Sequence, residues 1–243
     1  MRFPAPLIRA TLRRRYKRFL ADMVLEDGSE ITAHVANSGA MLGLAEPGLT
    51  AWLSHSDKPG RKLAWSWELA EVDGLLVGIN TQHPNAIVAE AVRAGLLPDL
   101  AGYAAQRREV PYGRNSRIDL LLEDPARPKC YVEVKNVHLK RGEAAAFPDA
   151  VTARGTKHLG ELGAMVAEGH RAVMLFLVQR MDCRFFRPAA EIDPTYARAL
   201  KSAVAAGVEV LCYDCRLTLD GIDVGRPLPL RLFEDERGPH GSE

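Results

Sequence analysis

Four cysteines in 243 residues are too few for a disulfide scaffold, and no apolar run approaches the roughly 18 residues that cross a bilayer. The opening Met1-Arg2-Phe3-Pro4-Ala5-Pro6 lacks the apolar stretch of a secretory signal. Neither sign of charge dominates, since 32 Lys and Arg face 31 Asp and Glu for a net charge of +1. That balance excludes a wholly basic nucleic-acid coat but leaves room for a local basic patch. Internal repeats and low-complexity segments are missing too. The expectation is a cytoplasmic protein with free thiols and no membrane partner. What is present is globular in composition, 47% hydrophobic and 26% charged, enough for one large domain or two small ones.

The first third reads as strands. Phe19, Ala21, Met23 and Leu25 alternate, Asp27-Gly28 marks a turn, and Ile31, Ala33 and Val35 alternate again, which predicts a hairpin. Further strands are expected at 50–54, 63–72 and 75–79, the last two joined at Asp73-Gly74. About five short strands with little helix suit a small closed barrel of the OB type, and other small barrels fit nearly as well. Trp52, Trp65 and Trp67 are expected in its core; Trp65 and Trp67 share a face, so a stacking platform is the alternative.

The pattern changes near residue 82. Pro84 suits a first helical turn, Ile87, Val88, Ala91 and Val92 mark one face, and Gly95 is a stop. Strands are expected at 107–110, 117–123 and 130–138, then a helix over 152–168 ended by Gly169. The apolar run 171–178 predicts a strand buried on both faces, followed by a helix over 194–206 and a strand over 208–213. Overall the chain reads as α+β. An OB-like domain spans 1–81, an αβββαβ domain spans 82–233, and a charged, Gly-rich tail at 234–243 is expected to fray.

Asp119 lies in the apolar run Arg117-Ile118-Asp119-Leu120-Leu121-Leu122, where a carboxylate is costly unless paired. The next strand reads Tyr131-Val132-Glu133-Val134-Lys135, so Glu133 and Lys135 project from one face. If the strands pair, Asp119 comes beside them. Two carboxylates suit a hard cation, Mg²⁺ or Mn²⁺, held by Asp119 and Glu133. Such a site could activate water against a phosphodiester, with Lys135 orienting the nucleophile or offsetting phosphate charge. Glu90, on the preceding helix, is a candidate third carboxylate. The plainer alternative is a same-face Glu–Lys ion pair on a solvated strand, with Glu90 an ordinary polar helix residue.

A basic cluster, Arg9, Arg13, Arg14, Arg15, Lys17 and Arg18, interleaves with Tyr16 and Phe19, a composition that suits phosphates and stacked bases. A charged strand edge would look the same. Arg154, Lys157, His158 and Glu161 fall on one helical face that could meet a phosphate backbone or simply face solvent. Ser38 has no local His or Asp support as a nucleophile. Cys212 and Cys215 form one Cys-x-x-Cys, without the further ligands that a zinc motif needs, and are expected to be structural thiols.

The arrangement of Asp119 with Glu133-x-Lys135, 14 positions on, resembles the PD-(D/E)xK signature of restriction-endonuclease-like proteins, with Ile118 in place of the proline. A longer resemblance covers nearly the whole chain. Phe3-Pro4-Ala5-Pro6-Leu7, Arg15-Tyr16-Lys17-Arg18-Phe19-Leu20-Ala21-Asp22, Asn37-Ser38-Gly39, Gly78-Ile79-Asn80-Thr81, Tyr131-Val132-Glu133-Val134-Lys135-Asn136-Val137 and Phe147-Pro148-Asp149-Ala150-Val151-Thr152 are similar to the sugar fermentation stimulation protein A (SfsA) family. That resemblance implies an OB-like N-terminal domain, a nuclease-like C-terminal domain and non-specific DNA binding. It also implies a regulatory link to maltose metabolism, so a non-catalytic DNA-binding regulator is the alternative to a nuclease. Val35-Ala36 and Ala40 stand where the family usually has Cys-Pro and Ser, so a role resting on that cysteine does not carry over. DNA is the expected partner, with RNA the alternative.

Overall fold

The computed structural model describes residues 1–113 and 115–233. The tail expected to fray, 234–243, lies outside them. Strands β1 (Ile8–Tyr16), β2 (Leu20–Leu25), β3 (Glu30–His34), β4 (Thr50–His55) and β5 (Trp65–Val72) close into a barrel in the order β1-β2-β3-β5-β4, and β6 (Leu75–Gly78) extends β5. Ala10, Leu12, Met23, Leu53 and Trp67 fill its interior. The arginine-rich segment is itself strand β1. A register shift between Leu12 and Arg14 breaks the two-residue alternation that would have announced it. Trp65 packs against the barrel core as expected. Trp52 does not: it points outward and packs against the core beside the first helix.

Helix α1 (Pro84–Arg93) leads to β7 (Ala105–Tyr112), β8 (Ser116–Asp124) and β9 (Arg127–Val137). Then come β10 (Leu139–Arg141), β11 (Ala144–Phe147), α2 (Ala153–Ala167), β12 (Arg171–Val178), β13 (Phe185–Pro188), α3 (Pro194–Ala205), β14 (Glu209–Leu217) and β15 (Ile222–Pro227). The main sheet runs β15-β14-β12-β9-β8-β7, with β12 parallel to β9 and β14, and a small second sheet runs β10-β11-β13. Alternation along the strands builds two cores. Leu120, Leu122, Val132, Val134 and Leu175 meet Ile87, Val88 and Ala91 of α1. Leu121, Met174 and Phe176 meet Leu159, Leu162 and Met165 of α2 and Tyr196 and Leu200 of α3. The architecture is α+β, an OB-type barrel followed by a domain with an αβββαβ core. No helix among the described residues is long and apolar enough to cross a membrane.

Helix starts follow their side chains. Thr152 caps α2 by accepting from the Gly155 N–H at 3.0 Å. Asp193 caps α3 through the Tyr196 N–H and also accepts from the Thr152 N–H, both at 2.9 Å. One carboxylate therefore ties two helix starts together and sets where α2 lies over the sheet.

Barrel and sheet meet at two glycines. A Cβ on Gly39 would overlap the Asp149 carboxylate, and one on Gly78 would overlap the side chain of Gln179, which is wholly buried. Backbone donors complete the seam: Met41 N–H to Asp149 Oδ2 at 3.0 Å and Gly78 N–H to the Gln179 carbonyl at 2.8 Å. Gly78→Ala should therefore cost about 1–3 kcal/mol through overpacking. Urea denaturation measures it, and an unchanged midpoint would show that the seam yields freely.

Candidate functional site

Antiparallel pairing of β8 with β9 places Leu120 opposite Val132 and ends there in this direction. Continued by one residue, the register sets Asp119 opposite Glu133. The Asp119 side chain takes over from the backbone: its Oδ2 accepts the Val134 N–H at 2.7 Å. Its Oδ1 accepts from Asn85 Nδ2 at 2.7 Å, in the first turn of α1. Glu133 is 2% exposed on the α2 side of the sheet. Its Oε1 receives Lys135 Nζ at 2.6 Å and a close contact from His158 Nδ1 of α2. Arg154 Nε in turn reaches His158 Nε2 at 3.3 Å. Glu133 Oε2 is buried with no hydrogen-bond partner.

The two carboxylates titrate differently. Burial and then the Glu133 charge push Asp119 up to about 6, against the pull of the Val134 N–H, Lys135 and Asn85. Burial opposes ionisation of Glu133 as well, but His158 and Lys135 outweigh it and hold this carboxyl below its ordinary range. The second negative charge thus enters the site reluctantly, because it is buried beside the first. The residues fit a hard divalent ion: two carboxylates side by side, one with an unspent buried oxygen. Among the described residues, no group of three or more His, Cys, Asp or Glu side chains could enclose a metal. Protein donation would therefore come from Asp119 and Glu133, with water or substrate oxygens completing the shell, as Mg²⁺ prefers.

These groups line a cleft of about 520 Å³ between barrel and sheet. The barrel contributes Arg18 and Ser38, and α2 contributes Arg154 and His158. Behind them, Asn136 Nδ2 lies 3.0 Å from His138 Nδ1, and His138 Nε2 lies 3.2 Å from Asp149. The sequence did not mark Asn85, Asn136, His138 or Asp149. It placed His158 only on a helix face that could meet a phosphate backbone.

Glu90 is the correction. Asn85 and Glu90 are five residues apart, about 140° around a helix. Asn85 faces Asp119, whereas the half-exposed Glu90 pairs with the Met1 ammonium at 2.7 Å and does not line the cleft. The basic cluster also divides. Arg13 is exposed, and Arg14 pairs with Asp22 at 2.8 Å and lies over the Tyr16 ring. Arg15 turns inward to donate to the carbonyls of Asn37 at 2.8 Å and Gly39 at 3.0 Å, bracing a cleft loop. Lys17 and Arg18 form the β1–β2 turn with positive φ angles of 47° and 62°, and Arg18 reaches the cleft. Lys157 bonds Ser116 Oγ at 3.1 Å and borders a neighbouring depression. All four cysteines are free and buried, Cys212 and Cys215 included.

The model of the SfsA N-terminal OB domain matches residues 14–79, and that of the sugar fermentation stimulation protein RE domain matches 82–221. A sugar fermentation stimulation protein homolog of Paramagnetospirillum magneticum is 67% identical over 234 residues, covering 96% of this chain and 99% of the relative. One of Rhodospirillum centenum is 66% identical over 231 residues, with coverage of 95% and 99%. The solved structure of Pyrococcus furiosus SfsA in complex with Ca²⁺ superposes with a TM-score of 0.86 at 28% identity, covering 95% of this chain and 98% of that one. By both halves and over nearly its full length, the chain belongs to the SfsA family.

Proposed function

We propose that the protein binds nucleic acid and hydrolyses its phosphodiester bonds with a divalent cation, Mg²⁺ or Mn²⁺, at Asp119 and Glu133. The observation that carries this reading is the reluctant carboxylate pair, with Lys135 beside it, on the floor of a cleft whose rim bears Arg18 and Arg154. Ca²⁺ in the Pyrococcus furiosus relative supports a hard-cation site in this fold. A bound cation would lower the pKa of water and draw charge from phosphate. Lys135 orients the attacking water and meets charge that develops on the phosphoryl oxygens. His158 fixes Glu133, and Arg154 steadies His158. Arg18 and Arg154 hold phosphates. Labelled single- and double-stranded DNA and RNA test the reading. Cleavage should appear with Mg²⁺ or Mn²⁺, and binding without cleavage with Ca²⁺. If no divalent cation supports cutting while DNA still binds, the protein is a binding regulator.

Arg13, Arg14, Lys17, Arg18, Arg154 and Lys157 supply sequence-independent phosphate contacts in this reading. Arg13→Ala should weaken binding equally for all sequences and reduce the salt slope by about one, with stability unchanged. Arg15→Ala should behave differently and lower stability, because the carbonyls of Arg18, Asn37, Gly39 and Ala40 lose their donor. Salt titrations of affinity alongside thermal melts separate the two. Equal behaviour of both variants would contradict the division.

A further inference from the structure

A second cleft, of about 640 Å³, opens along α2 beyond His158 and is lined by Tyr112, Tyr131, Lys157, Gly160, Ala164 and Met165. Its aromatic wall continues inward. The Tyr112 and Tyr131 rings lie 5.8 Å apart, and Tyr131 and His170 5.5 Å apart. The Tyr112 hydroxyl is buried without a hydrogen-bond partner. Gly160 opens the opposite side, since a Cβ there would meet nothing within 4 Å. Glu161 and Glu168 also border the cleft, so its charge repels phosphate and favours an uncharged group. The cleft adjoins the carboxylates. Lys157 directly precedes His158, which holds Glu133, and Ala164 lies about 9 Å further along the helix. Burial, and then the charges of Glu133, Glu161 and Asp119, push the pKa of the Tyr112 hydroxyl up.

Resting on the nucleic-acid reading above, we propose that this cleft receives one unpaired nucleobase of the bound strand, next to the phosphate held at Asp119 and Glu133. The base lies against the Tyr112–Tyr131 wall, and its backbone stays outside near Lys157. Every base has a π-face for an aromatic wall, so the pocket takes any base, consistent with binding that ignores sequence.

Gly160→Leu fills the cleft from a helix position where Leu is the better helix former, and Gly163→Leu makes the same change where a Cβ also meets open space but outside the cleft lining. Both variants of the full chain should melt no lower than the parent. Affinity is measured in Ca²⁺ for a short oligothymidylate and for an abasic chain of equal length. The parent and Gly163→Leu should prefer the oligothymidylate about tenfold, the worth of one stacked base. Gly160→Leu should lose that preference while binding the abasic chain as before. Full preference retained in Gly160→Leu, equal parental affinity for both chains, or a parallel loss on both chains would each overturn the pocket while leaving nucleic-acid binding intact. A parent that binds neither chain would overturn the pocket, and if duplex DNA and RNA also went unbound it would overturn the proposed function as well.

Discussion

Glu133→Gln should abolish cation-dependent cleavage, with a loss in turnover of at least about 10³-fold. The substitution keeps the side-chain shape and an oxygen for Lys135, but removes the charge that Lys135, His158 and the cation share. Affinity for nucleic acid should hold or improve, because a negative charge leaves a phosphate-binding cleft. Lys135→Met should act otherwise, lowering the rate while sparing Ca²⁺ binding followed by calorimetry. Undiminished cleavage by Glu133→Gln would place the catalytic centre elsewhere or reveal a contaminant.

Asp119→Asn should stabilise the cation-free protein at neutral pH and make its stability indifferent to added cation. The folded carboxyl titrates near 6, against an ordinary value of 3.8. Folding therefore favours its protonated form. The stability that this preference supplies is fully present below about 3.8, is lost as pH rises through about 6, and stays lost above. The loss amounts to about 3 kcal/mol. Asparagine carries no charge to lose, so at pH 8 its cation-free Tm should exceed the parent's by about 6–12 °C, and the two should converge near pH 4. In the parent, saturating Ca²⁺ should restore about 2–3 kcal/mol, more at pH 8 than at pH 5, whereas the variant should gain almost nothing. Melts over a pH series with and without Ca²⁺ check both halves. A cation-induced shift that survives in Asp119→Asn would remove Asp119 from the ligand set.

The centre of the site was legible because it breaks local rules. Asp119 interrupts an apolar strand, and Glu133 and Lys135 sit where a buried strand should carry only Val or Leu. Period-two alternation then gives their shared face, and antiparallel pairing their meeting with Asp119. Asn85 was not legible, since an asparagine in a first helical turn is ordinary until Asp119 folds over it. Glu90 was chosen by chemical type, and helical geometry turned it toward Met1. Among the strands, β1 was hidden by its bulge and its arginines. The β11 segment Ala144-Ala145-Ala146 has weak strand preference, and its conformation comes from pairing with β10 and β13, far away in sequence. His138 and Asp149 acquire meaning only through the seam with the barrel.

That seam has an evolutionary consequence. Gly39 and Gly78 leave space for Asp149 and Gln179, which belong to the other half of the chain, so each half carries an imprint of its mate. A barrel grafted from an unrelated protein would bring side chains into both gaps and would leave the partly buried Asp149 carboxylate without the Met41 amide. Lineages in which the halves drifted independently would lose the fit, and with it the loop that presents Arg18 and Ser38 to the carboxylates. Exchange of barrel or sheet as a separate module therefore requires a partner with matching gaps at both seam positions, although each half has a core of its own.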